Sequence, residues 1–94
     1  MVQAEKQRST IKIYFDILTV TEEEGEAKTT RIIQKANLPH DRLMKHVAEL
    51  QKRGLLSEYE DGGSRYYRVT SKGQEFVREV RRAQTFLSAF GVAI

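Results

Sequence analysis

Arg42, Lys45 and Lys52 are the residues in this chain whose type and spacing carry the clearest chemistry. At 100° per residue they fall together on one side of a helix, opposite Leu43, Val47 and Leu50, with Met44 at the flank of that apolar stripe. A guanidinium and two ammonium groups facing outward are donors for a polyanion. Arg42 and Lys45 suit guanine O6 and N7 or phosphate oxygens, and spacing alone does not choose between them. His40, Asp41 and Glu49 border the same side. Asp41 stands where a helix begins, and an anion there is stabilised by about 0.3–1 kcal/mol, a simpler role than a cytosine contact. Lys28 to Leu56 holds seven positive and two negative residues. A well-solvated helical surface would also use such charges, so the segment marks where an acidic partner would sit without requiring one.

Catalytic and metal chemistry find little support. His40 and His46 stand six apart and point in different directions on one helix, so they do not chelate a metal together. Serines 9, 57, 64, 71 and 88 have no neighbouring base, and Gly62-Gly63 belongs to a hairpin, not to a phosphate loop. There is no cysteine, which removes disulfides, thiolate metal sites and Cys nucleophiles. Glu22-Glu23-Glu24-Gly25-Glu26 could attract a hard cation, but a solvated acidic loop is the commoner use of such a run. The expectation is a chain that is no enzyme and needs no cofactor.

The chain has 94 residues, 16 Lys plus Arg, 13 Asp plus Glu and a formal charge of +3. That length supports one small domain. No apolar run approaches the ~20 residues of a membrane span, and residues 1–8 form a polar tail without a signal-peptide core. A soluble, cytoplasmic protein without a membrane partner is expected.

The elements that must position the cations can be read in order. Ser9-Thr10 caps a first helix whose apolar residues (Ile11, Ile13, Tyr14, Phe15, Ile17, Leu18, Val20) occupy most of its girth. The acidic run and Gly25 end it. Thr29 and Thr30 offer the next N-cap, either as plain caps or as a place where free amides hold a phosphate. A short helix follows to Asn37, a left-handed terminator, then Leu38 as an apolar plug and Pro39 at the first position of a third helix over 39–53. Residues 55–69 read as a hairpin turning at Asp61-Gly62-Gly63-Ser64, with Leu56 opposite Val69 and Glu60 opposite Arg65. In that pairing Leu56, Tyr67 and Val69 share one face, and Tyr59, Tyr66 and Arg68 the other. Arg65 is the best contact from the hairpin, or else an exposed ion pair with Glu60. Thr70 caps a last helix over about 71–90.

Two helices joined by Ala36-Asn37-Leu38-Pro39 and followed by a glycine-tipped hairpin constitute a winged helix-turn-helix, mostly α with a small β-hairpin. Phe76, Val80, Ala83, Leu87, Phe90 and Ile94 step by four and three, a heptad seam. Val80, Ala83, Leu87 and Phe90 are therefore expected in a dimer interface, although Phe76 and Val80 also suit packing of the helix on its own domain and the seam is free for a partner only beyond Ala83. The domain plan is a winged helix over 9–70 and a dimerisation helix over 71–94.

The sequence also resembles the archaeal winged-helix transcriptional regulators and chromatin-associated proteins that carry a C-terminal coiled coil. The resemblance covers about residues 9–82. It rests on Ile13-Tyr14-Phe15-Asp16-Ile17-Leu18, Thr30-Arg31-Ile32-Ile33-Gln34-Lys35-Ala36-Asn37-Leu38, Leu43, Leu50, Arg53-Gly54-Leu55-Leu56 and Tyr67-Arg68-Val69-Thr70-Ser71-Lys72-Gly73. The chain departs from the group at Pro39, where a small hydroxyl residue is usual, and in a short terminal helix. The resemblance implies binding to double-stranded DNA as a homodimer joined by antiparallel C-terminal helices. It assigns Thr29, Thr30, His40, Arg42, Lys45, Glu49, Lys52 and Arg65 to the DNA side. Helix 39–53 would enter the major groove and hairpin 55–69 would lie on the flanking backbone, with half-sites about one turn, ~34 Å, apart. The competing use of the same fold is a protein-interaction module within a transcription or membrane-remodelling assembly. Exposed apolar residues on the outer side of the third helix would favour that use.

Overall fold

The computed structural model describes residues 8–94. Its elements are α1 (Thr10–Glu24), α2 (Thr29–Ala36), α3 (His40–Lys52), β1 (Leu56–Asp61), β2 (Ser64–Val69) and α4 (Ser71–Ser88). The expected 1–8 tail lies outside the described residues except for Arg8. That residue is not merely tail: its guanidinium donates to Asp16 at 2.7 Å and to the Asn37 carbonyl at 3.2 Å.

Ser9 caps α1 by accepting the Lys12 N–H at 3.1 Å, and Gly25 ends the helix. Ile13, Tyr14, Phe15, Ile17 and Leu18 are all buried, so α1 is the central helix that its apolar girth requires. Ile11 is the exception, at 47% exposure. Thr21 is buried on α1 and spends its hydroxyl on the Ile17 carbonyl. Asn37 closes α2 in the left-handed conformation, and Leu38 is buried behind it. Two expectations shift by one position. The N-cap of α2 is Lys28 and makes no side-chain cap bond, so Thr29 and Thr30 are its first helical residues and not its caps. Pro39 is the N-cap of α3, with His40 its first helical residue.

Leu43, Val47 and Leu50 carry the buried stripe of α3. The hairpin has the register that its pattern predicts, Leu56 opposite Val69 and Glu60 opposite Arg65. Leu56 and Tyr67 close over the core while Tyr59 and Tyr66 stack on the outer face, centroids 5.7 Å apart. Backbone bonds in both directions between Ala27 and Tyr67 add a third short rung to the sheet.

Thr70 caps α4 by accepting the Gly73 N–H at 3.0 Å. Phe15 meets Arg81, and Glu22 shares a cleft with Gln74 and Arg78, so α4 runs antiparallel to α1. The buried residues of α4 are Gly73, Val77 and Val80, with Phe76 only partly buried. Its contact stripe is thus rotated from the one the heptad spacing marks, because Gly73 contributes close approach without any hydropathy.

The far end of α4 also departs from the seam. Gly91 takes φ 73°, its N–H bonds to the Ser88 carbonyl at 3.0 Å, and the Val92 N–H returns to Leu87 at 3.1 Å. This is a Schellman closure, which uses glycine for the left-handed residue and turns the chain off the helix axis. Ile94 consequently leaves the helix and packs back on the core instead of extending the seam. No helix among the described residues is long and apolar enough to cross a membrane.

Candidate nucleic-acid interface

The candidate interface centres on α3, whose orientation follows from its buried stripe. Once Leu43, Val47 and Leu50 face the core, the opposite side must face solvent, and Arg42, Lys45 and Lys52 are all exposed there. Among the described residues none of the three has an acidic partner within ion-pair distance. Lys35 of α2 is likewise exposed with no ion pair among the described residues, while the other cations of the basic segment differ. Arg31 is paired with Glu24 at 3.2 Å, and Arg53 is bonded to Glu49 one turn back. Lys28 lies over the Tyr66 ring at 5.6 Å.

Glu49 belongs to that internal pair. The Arg53 hydrogen bond, helped by the positive charge of Lys52, holds its carboxyl below the ordinary glutamate value. The carboxylate is thus spent on neutralising its own helix. An i,i+4 Glu–Arg spacing was the available sequence signal for this. His40 and Asp41 stand side by side at the open end of α3, Nδ1 to Oδ1 3.4 Å, both exposed.

In the sequence His46 is notable only as a histidine that cannot chelate a metal with His40, and nothing there shows its place in the packing. It lies half-buried at the α1–α3 contact, edge-on to Tyr14 with centroids 5.8 Å apart. Burial, then Arg42, Lys45 and Arg8, hold its pKa below the usual 6.5, while Glu49 opposes them. The ring is therefore a neutral packing element beneath the cationic side, not part of it.

The hairpin brings two arginines into different surroundings. Arg68, on the outer face, reaches Glu26 at 3.0 Å and covers the Tyr59 ring at 4.7 Å. Tyr59 also donates its hydroxyl to Glu26, so the turn after α1 is fastened to the back of the hairpin. Glu22, Glu23 and Glu24 are not a loop, because α1 continues through them to Gly25. Arg65, on the face shared with Leu56 and Tyr67, stands on the α3 side, with Glu58 at 3.4 Å and Glu60 at 4.0 Å. The nearer acid is the one the simple cross-strand pairing did not indicate. Thr29 is half-buried and Thr30 exposed at the uncapped start of α2.

The expected dimer residues divide. Val80 is buried within its own domain at 8% exposure and is not available to a partner. Ala83 and Leu87 are half-exposed. Phe90, past the regular helix, is 69% exposed, and Phe86, which the seam omitted, is 64% exposed with its ring 5.3 Å from that of Phe90. Val92 and, across the antiparallel pair, Ile11 complete the large apolar side chains exposed among the described residues. None of them lies on α3.

Several solved structures share this architecture. Sso10a-2, a DNA-binding protein from Sulfolobus solfataricus, matches with a TM-score of 0.79 and 25% identity over 88% of this chain and 85% of that one. BpsR of Bordetella bronchiseptica, whose DNA binding is regulated by 6-hydroxynicotinic acid, matches with a TM-score of 0.72 and 18% identity over 99% and 68%. A MarR family protein from Bacillus stearothermophilus matches with a TM-score of 0.70 and 22% identity, over 82% of this chain and 56% of that one. The last two are likenesses of fold alone. No curated protein matches by sequence. The winged helix-turn-helix family matches residues 7–88, which is most of the chain and includes every element described above, and this protein belongs to that family.

Proposed function

We propose that this protein binds double-stranded DNA as a homodimer and acts in the cytoplasm as a transcriptional regulator. Helix α3 enters the major groove, and the hairpin is the wing that lies on the flanking backbone. One observation carries the reading: Arg42, Lys45 and Lys52 stand exposed on the outer side of α3 with no acid among the described residues to neutralise them, while Glu49 is already bonded to Arg53. Arg42 and Lys45 contact base edges or phosphates, and Lys52 contacts phosphate. His40 stands beside them, and Thr29 and Thr30 offer backbone amides to a phosphate at the start of α2. Arg65 extends the contact from the wing. DNA binding by Sso10a-2 is in keeping with this assignment.

The homodimer uses the end of α4. Leu87, Phe86 and Phe90, with Ala83 beside them, present apolar surface there, and Ile11 of α1 faces the same end. The apolar surface thus favours self-association at α4 and leaves α3 to a polyanion, which weighs against a protein-interaction module docking through α3. Two recognition helices related by a two-fold axis call for a palindromic site. Titrating a labelled duplex at low salt tests the reading: micromolar or tighter binding that weakens as salt rises supports it, and no binding overturns it.

A further inference from the structure

Glu58 occupies an unusual place between the two DNA-facing elements. It lies opposite Tyr67 on the inner face of the hairpin, one step beyond buried Leu56, where the core ends and side chains reach solvent. Its Oε1 accepts a hydrogen bond from Gln51 Nε2 of α3 at 2.7 Å. Its Oε2 lies 3.4 Å from Arg65 Nε of the wing. A single carboxylate therefore joins the recognition helix to the wing cation.

We propose that Glu58 is a positioning residue for DNA recognition, which fastens the wing to α3 through Gln51 and holds Arg65 neutralised until a phosphate displaces it. This rests on the duplex-binding reading above. The two halves of the carboxylate have separable consequences. The Gln51 bond fixes how far the wing stands from α3, and so which phosphate Arg65 meets. The Arg65 contact is an exposed ion pair, 53% and 36% accessible on its two sides, and such pairs are weak enough for phosphate to compete. In the free protein Arg65 is thus aimed toward the α3 side but carries its own counterion, and Glu60 at 4.0 Å adds to this. On DNA, Glu58 gives up the guanidinium and keeps Gln51.

Glu58→Gln separates the two roles, since it retains an oxygen acceptor for Gln51 and removes the charge facing Arg65. The test is a salt titration of duplex binding for wild type, Glu58→Gln, Arg65→Ala and the double variant, with thermal melts to verify folding. Glu58→Gln is expected to bind about two- to fivefold tighter, the range of an exposed ion pair. Its log–log salt slope should steepen by up to about one unit per wing. In the Arg65→Ala background the same change should have no effect. Gln51→Leu, which cuts only the tether, is expected to weaken binding with little change in slope. Equal tightening by Glu58→Gln in both backgrounds would mean that the carboxylate repels DNA directly, and would overturn the proposal. So would an inert Glu58→Gln in a wild-type protein that binds DNA. A wild-type protein that binds no duplex would instead refute the underlying reading, and this proposal with it.

Discussion

The backbone of Gly73 lies against the carbonyl of Leu55 so closely that a Cβ on Gly73 would stand 2.2 Å from that oxygen and 2.7 Å from Val69 Cγ1. Gly73 is in the first turn of α4, and its backbone is helical. In an ordinary helix Gly→Ala stabilises by about 0.4–1 kcal/mol through the unfolded chain. Here the added methyl meets main chain, which cannot swing aside, and Gly73→Ala should destabilise by about 1–3 kcal/mol. The sign of the change in urea denaturation decides the matter. A stabilised variant would show that α4 does not approach Leu55 this closely.

Thr70 completes the same junction. Its hydroxyl donates to the Gly54 carbonyl at 2.7 Å and accepts from Gly73 at 3.0 Å, tying the end of α3 to the start of α4. Thr70→Val keeps the shape and removes both bonds, so a loss of about 1–2 kcal/mol is expected by chemical denaturation. A loss smaller than a few tenths would mean that water replaces both bonds.

These two residues show what could and could not be read from the sequence. The hairpin register was legible because Leu56, Tyr67 and Val69 alternate and the turn is marked by two glycines. The cationic side of α3 was legible because Leu43, Val47 and Leu50 fix its orientation. The packed side of α4 was legible only at Phe76 and Val80, since Gly73 gives no hydropathic signal and the spacing Phe76, Val80, Ala83 masks the adjacent Val77. The Schellman closure at Gly91 and the bond from Gln51 to Glu58 are also hidden, the first because heptad counting ignores backbone, the second because the partners come from different elements.

His46 makes folding sensitive to mild acid. Burial and the nearby Arg42 and Lys45 lower its pKa in the folded state from 6.5, so the unfolded chain binds the proton more readily. Stability contributed by the neutral ring is present above the unfolded value and is lost as pH falls through the lowered folded one. Thermal melts should therefore drop as the pH falls below about 6.5 in wild type, and less so in His46→Gln. Parallel curves for the two proteins would refute a role for this ring.

The α4 end should govern assembly. Leu87→Glu and Phe90→Glu each place a charge within the exposed apolar surface and are expected to give monomers by sedimentation velocity where wild type is a dimer. Val80→Ala should instead lower stability by about 1–2 kcal/mol without changing the oligomeric state, because Val80 is buried in its own domain. A wild-type protein that is monomeric at micromolar concentration would remove the dimer.

The most direct measurement compares the salt dependence of duplex binding in wild type and in an Arg42→Ala, Lys45→Ala double variant. Each phosphate neutralised contributes about 0.9 to the log–log slope, so wild type should show a steep negative slope that flattens by about two units per α3 if both residues meet phosphate. Contacts to base edges would instead lower affinity while changing the slope less. A wild-type slope near zero, or a double variant identical to wild type in affinity and slope, would contradict DNA binding through α3.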